Sequence, residues 1–193
     1  MKTKTKTRIL SVVEGAVMVA LAIVLDLLPL PHWPQGGGIS VAAVPLIYYA
    51  YRRGVGMGLM AGFAWSCVQM MMGFYIPPAN TVGAIALCVL LDYVLAFGAV
   101  GVSPLFARLF GKRRLGGYAF GAICTGLVRC LFSVLSGGLL WGSYAPEGIG
   151  AWTYSIGYNC GYMIPNAVIS AVLIVALASA ADPLTLRPYK PKK

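Results

Sequence analysis

The stretch Gly137–Pro165, GGLLWGSYAPEGIGAWTYSIGYNCGYMIP, decides how this chain is read. An apolar run ends at Trp141, a polar turn follows through Pro146 and Glu147, and a second apolar run opens near Trp152. That pattern is a helix hairpin turning at a membrane face. Trp141, Tyr144, Trp152, Tyr154, Tyr158 and Tyr162 fall within it, with Asn159 among them. So many rings form either an interfacial belt or the wall of a pocket for a flat, polar or cationic molecule.

Composition puts the hairpin in a bilayer. Of the 193 residues, 59% are hydrophobic and only 10% charged. A soluble domain averages about 45–50% apolar and about 25% charged. The expectation is a single-domain, all-α integral membrane protein over residues 1–193, with no cleavable leader, because the first apolar run is too long for a signal core. The net charge of +10 would point to nucleic acid in a soluble protein. Here the basic residues lie in short links between apolar segments, so topology explains them and no nucleic-acid partner is expected. Five cysteines without CxxC spacing and one histidine give no metal set and no disulfide framework.

Six spans are expected: Ile9–Leu30, Ile39–Tyr51, Val55–Tyr75, Thr81–Phe106, Leu115–Trp141 and Trp152–Ala181. The second is marginal alone and must be short, tilted or covered by neighbours. With the N-terminus inside, the N-tail, Arg52-Arg53, the 108–114 link and the C-tail hold every Lys and Arg except Arg129. That positive-inside pattern predicts both termini in the cytoplasm of a multi-pass prokaryotic plasma-membrane protein.

Ionisable groups within spans are costly, so each is a functional candidate. Glu14 is expected to pair with a basic link, and Asp26 to reach the interface. Asp92, followed by Tyr93, sits in the middle of the fourth span and Arg129 in the fifth. Either they pair and lock two helices, or Asp92 meets a cationic ligand. No GxSxG, HExxH or GxxxxGK[ST] is present. The chain is therefore expected to be no enzyme, to need no cofactor, and to hydrolyse no ATP itself. Ala16 and Ala20 lie one turn apart on the first span, with Ala22 widening a small-residue surface.

SYAPEG (143–148), YSIGYN (154–159) and YMIP (162–165) resemble the signature hairpin of the thiamine-specific S components of energy-coupling factor (ECF) transporters. YYAYRRGVGMGLMAGFAW (48–65) and LDYVLAF (91–97) resemble that family's second-to-third span and its acid–Tyr element. The resemblance runs in order over nearly the whole chain. It implies six spans and a thiamine pocket built from Asp92, Tyr93, Trp141, Tyr154 and Asn159. Ser133 would line it, and Trp33 of the first loop would cap it. It implies Ala16 and Ala20 as the docking face for a transmembrane coupling subunit, which works with two ATPase subunits. Trp152 and Tyr144 are left to the aromatic belt. Two positions depart from the family: Asp92 replaces the usual Glu, and Ser133 the usual His. Both imply a roomier pocket. The alternatives are another vitamin or a thiamine precursor as ligand, or a stand-alone proton-coupled transporter with Asp92 as carrier.

Overall fold

The computed structural model describes residues 2–110 and 115–180. The basic tail at 187–193 and the cations of the 111–114 link lie outside the described residues. Six helical stretches follow one another: α1 (Lys2–Asp26), α2 (Ala43–Arg53), α3 (Val55–Met72), α4 (Val82–Leu109), α5 (Leu115–Leu140) and α6 (Ala151–Ala180). The described residues form no strand, only an isolated bridge between His32 and Gly38. The protein is an all-helical, multi-pass membrane protein.

Five of the helices are long and apolar enough to cross a bilayer. The exception is α2, whose 11 residues rise only about 16 Å against a hydrocarbon core of about 30 Å. Its neighbours enclose it: Ala43–Ile47 and Tyr49–Tyr51 are all buried. It contributes Leu46, Ile47 and Tyr49 to the core, beside Val100, Ala122 and Ile174 from α4, α5 and α6. The surface of the long helices is instead apolar and exposed, as at Val13, Val17, Phe63, Leu131 and Val172, which suits a lipid solvent.

At the end of the bundle opposite the pocket, Glu14 of α1 pairs with Arg52 (Nε–Oε1, 2.6 Å) and with Arg53 (Nε–Oε2, 2.7 Å). Glu14 thus takes the structural role expected of it. The Tyr49 hydroxyl donates to the Ser11 carbonyl at 2.7 Å and ties the same two helices. Gly54, at φ 88°, lets the chain reverse from α2 into α3. Gly58 brings α3 against Gly101 of α4 backbone to backbone, with no room for a β-carbon on either side.

Two helices depart from regular α geometry where their sequence requires it. In α4, residues Val89–Leu95 form a π-helical turn, and Ala99–Val102 tighten to 3-10 geometry just before Pro104. In α6, Pro165 lacks the N–H that would reach the Gly161 carbonyl. Between α1 and α2 the chain makes a compact turn. Trp33 N–H donates to Gly37 O at 2.6 Å and Ile39 N–H to Pro31 O at 2.9 Å, with Gln35 and Gly36 at positive φ.

Ala16 and Ala20 are exposed, one turn apart on one face of α1. Ala22 is not part of that face. It is fully buried in the core, because a residue two positions beyond Ala20 is turned roughly 200° away.

Candidate functional site

A cavity of about 300 Å³ opens at the end of the bundle where residues 27–42, 73–81 and 141–150 gather. That is the lower end of the range for small-molecule pockets. All helices but α2's distal half contribute to a wall of aromatic rings interrupted by a few polar groups.

The π-helical turn places the acid. Consecutive residues of a regular helix point about 100° apart. On this widened turn Asp92 and Tyr93 both line the cavity. The Ser136 hydroxyl of α5 donates to Asp92 Oδ2, and the Cys88 thiol approaches the same oxygen at 3.5 Å. The Tyr93 hydroxyl is engaged with the 73–75 turn, accepting from Tyr75 N–H at 3.3 Å and donating to Gly73 O at 3.4 Å. Its ring, stacked on Phe97 at 6.1 Å, is what it offers the cavity.

The opposite wall comes from the hairpin. Trp141 and Tyr154 line the cavity, and Trp141 stacks on Tyr144 with centroids 5.9 Å apart at 27°. Tyr144, assigned to the belt from sequence, is therefore part of the wall. Trp152 is not a lining residue and is exposed, as the belt reading has it. Asn159 is buried in the wall. Its Nδ2 donates to Ser155 O at 3.0 Å and to Ser133 O at 3.3 Å, and its Oδ1 accepts from the Tyr162 hydroxyl at 3.1 Å. One lone pair on Oδ1 stays open for a ligand donor. Ser133 lines the cavity beside it.

Trp33 does not line the cavity. It packs on Tyr162, which does line the cavity, with ring centroids 6.0 Å apart. The cap is made instead by His32 and Gln35–Gly38. Tyr158 fastens that cap: its hydroxyl accepts from Gly37 N–H at 3.0 Å and donates to Pro34 O.

Four further residues line the cavity that the sequence does not assign to the site: Tyr158, Tyr162, Asp26 and Arg129. Tyr158 and Tyr162 stood in the quoted hairpin, one turn apart, and that spacing was the available signal. Asp26 lines the cavity instead of simply reaching the interface, held by the Ser40 hydroxyl at 2.6 Å and by Gln69. Arg129 makes no ion pair with Asp92. Its guanidinium lies over the Trp65 ring at 5.2 Å and the Phe97 ring at 5.3 Å, and it too lines the cavity. The wall thus carries two carboxylates and one guanidinium, a formal charge of −1 among the described lining residues.

A membrane cavity walled by rings, with one surplus carboxylate, suits an organic cation. Residues 12–186 match the family described as Thiamine transporter protein (Thia_YuaJ). The chain belongs to this thiamine transporter family. It is a family of transporters, not of enzymes. Relatives of this transporter include the thiamine transporter ThiT of Bacillus subtilis (strain 168), 33% identical over 188 residues. That match covers 92% of this chain and 94% of the relative. ThiT of Lacticaseibacillus paracasei is 27% identical over 186 residues, covering 90% and 89%. Among solved structures, ThiT from Listeria monocytogenes superposes with a TM-score of 0.77 at 25% identity. The match spans 94% of this family member and all of that chain.

Proposed function

We propose that this protein captures thiamine in the cavity at its extracellular end and delivers it as the S component of an ECF transporter. The observation that carries the ligand is the charge and make-up of the cavity wall. Two carboxylates against one guanidinium leave −1, and thiamine carries one permanent positive charge on its thiazolium. Its two flat rings suit walls built from Trp141, Tyr144, Tyr154 and Tyr93. A cation over such faces gains about 0.5–2 kcal/mol, and Asp92 adds Coulomb attraction in a low dielectric. The open lone pair of Asn159 and the Ser133 hydroxyl supply acceptors for an amino group.

Delivery rests on the surface of α1. Ala16 and Ala20 expose a small, apolar face on which another helix can pack closely. A coupling subunit seats there on this reading, with two ATPases supplying the energy and both termini of this chain in the cytoplasm. The shorter Asp92 and the Ser133 site favour, as a second reading, a thiamine precursor that fills the pocket differently.

Intrinsic tryptophan fluorescence, titrated with thiamine, tests the ligand. Trp141 and Trp65 line the cavity and report on anything stacked there. Saturable quenching at submicromolar thiamine is expected. Absence of quenching in folded protein overturns thiamine as the ligand and leaves the transporter family in place. Uptake into proteoliposomes, with and without the coupling subunit and ATPases, tests delivery. Uptake that persists without them favours a stand-alone proton-coupled carrier.

A further inference from the structure

Arg129 is the group in the cavity that the thiamine reading leaves without a task. It is a cation within a membrane span, stacked on Trp65 and Phe97. Among the described residues it makes no hydrogen bond or ion pair, and its Nε is buried without a partner. A guanidinium has five donors, and leaving them empty in a low-dielectric site is unfavourable unless something else enters to meet them. Trp65, 3% exposed and also lining the cavity, has a second unpartnered donor in its indole Nε1. The half-buried part of Arg129 faces the cavity that it lines.

Arg129 makes no ion pair with Asp92 and starts from a different level of α5. Asp92 is held by Ser136, and Arg129 stands seven residues before Ser136 on the same face of α5. Two turns of helix place it roughly 10 Å deeper along the axis. Asp26 tempers the charge at this end. It is held by Gln69, one turn along α3 from Trp65, and so belongs to the same wall as the ring that Arg129 covers.

We propose that Arg129 is a specificity-determining residue that donates from its guanidinium to an uncharged hydroxyl oxygen on the ligand. Asp26 sets the preference for the neutral group over a phosphate ester. An alcohol oxygen meets Arg129 and leaves the site balanced at the ligand's single positive charge. A phosphate ester at the same place brings negative charge into a wall that already holds one carboxylate in excess. The proposal rests on the thiamine reading and extends it: the hydroxyethyl arm of thiamine is the group addressed.

The test titrates purified wild-type protein and the Arg129→Gln and Asp26→Asn variants by tryptophan fluorescence. Three probes are used: thiamine, the analogue with its hydroxyethyl arm cut to a methyl group, and thiamine monophosphate. Arg129→Gln is expected to weaken thiamine by about tenfold or more and the methyl analogue by much less. Asp26→Asn is expected to narrow the gap between the monophosphate and thiamine. Equal loss of thiamine and the methyl analogue in Arg129→Gln overturns the proposal and makes Arg129 a packing residue, while the thiamine reading stands. Wild-type protein that binds the monophosphate as tightly as thiamine overturns the role of Asp26. Wild-type protein that binds none of the three overturns the thiamine reading and the subsite together. Arg129→Lys keeps the charge without the planar fork; it replaces Arg129→Gln in the same comparison if the latter does not fold.

Discussion

Asn166 and Ser40 are joined in the wall of the cavity, which both of them line. The Ser40 N–H donates to Asn166 Oδ1 at 3.0 Å, and Asn166 Nδ2 returns to Gly38 O at 2.9 Å. Both edges of one amide are therefore spent on the backbone of the loop that caps the site. Asn166→Leu keeps the volume and removes both bonds. Ligand release is expected to quicken several-fold by stopped-flow fluorescence, with thermal stability down by about 1–2 kcal/mol at most. An unchanged release rate would show that Tyr158 alone holds the cap.

Asp92 lines the cavity with its carboxylate held by Ser136 of α5. Asp92→Asn keeps the shape and the Ser136 contact but removes the charge. Binding of thiamine should weaken by roughly ten- to a hundredfold, since a bond to a charged group contributes about 1.5–3 kcal/mol. A neutral analogue of the same outline should lose far less. Equal losses, measured by titration calorimetry, would assign Asp92 to structure.

Gly137 leaves room for the polar wall. A β-carbon there would collide with Ser155 and press on the amide of Asn159. Gly137→Ala is expected to lower affinity about tenfold while the protein still purifies as a single species, because overpacking costs about 1–3 kcal/mol and acts locally. Unchanged affinity would mean that Asn159 can shift without consequence for the ligand.

The α1 face and the cavity are separate. Ala16→Trp should leave thiamine binding intact and stop uptake in membranes that contain the coupling subunit and its ATPases. Unimpaired uptake would remove the docking role from this face.

The sequence carried the spans, and the acid and hairpin rings it singles out, Asp92, Trp141, Tyr154 and Asn159, all line one cavity. Hydropathy is a property of each segment in turn, and the bilayer reads it directly. The loop that carries Trp33 shows where that local logic ends. An aromatic in a loop at the pocket end reads as a cap, but what it touches depends on the fold: the Trp33 ring lies on Tyr162, and Tyr158 ties the loop down through Gly37. Nor could spacing choose between an Asp92–Arg129 pair and two separate poles. That choice depends on how α4 and α5 are rotated against each other, and α5 presents Ser136 to the acid instead.

By itself, the sequence determined that this chain lives in a membrane as an all-helical bundle, and that an acid and a cluster of rings share it. Apolar length and charge placement suffice for that, because the solvent is the lipid. The tertiary structure alone decided which charges meet. It set Glu14 against Arg52 and Arg53, Asp26 against Ser40 and Gln69, and left Arg129 between two rings with its donors open. Those partners come from residues far apart in the chain. Only the packed rotation of each helix brings a side chain to a partner or leaves it facing the cavity.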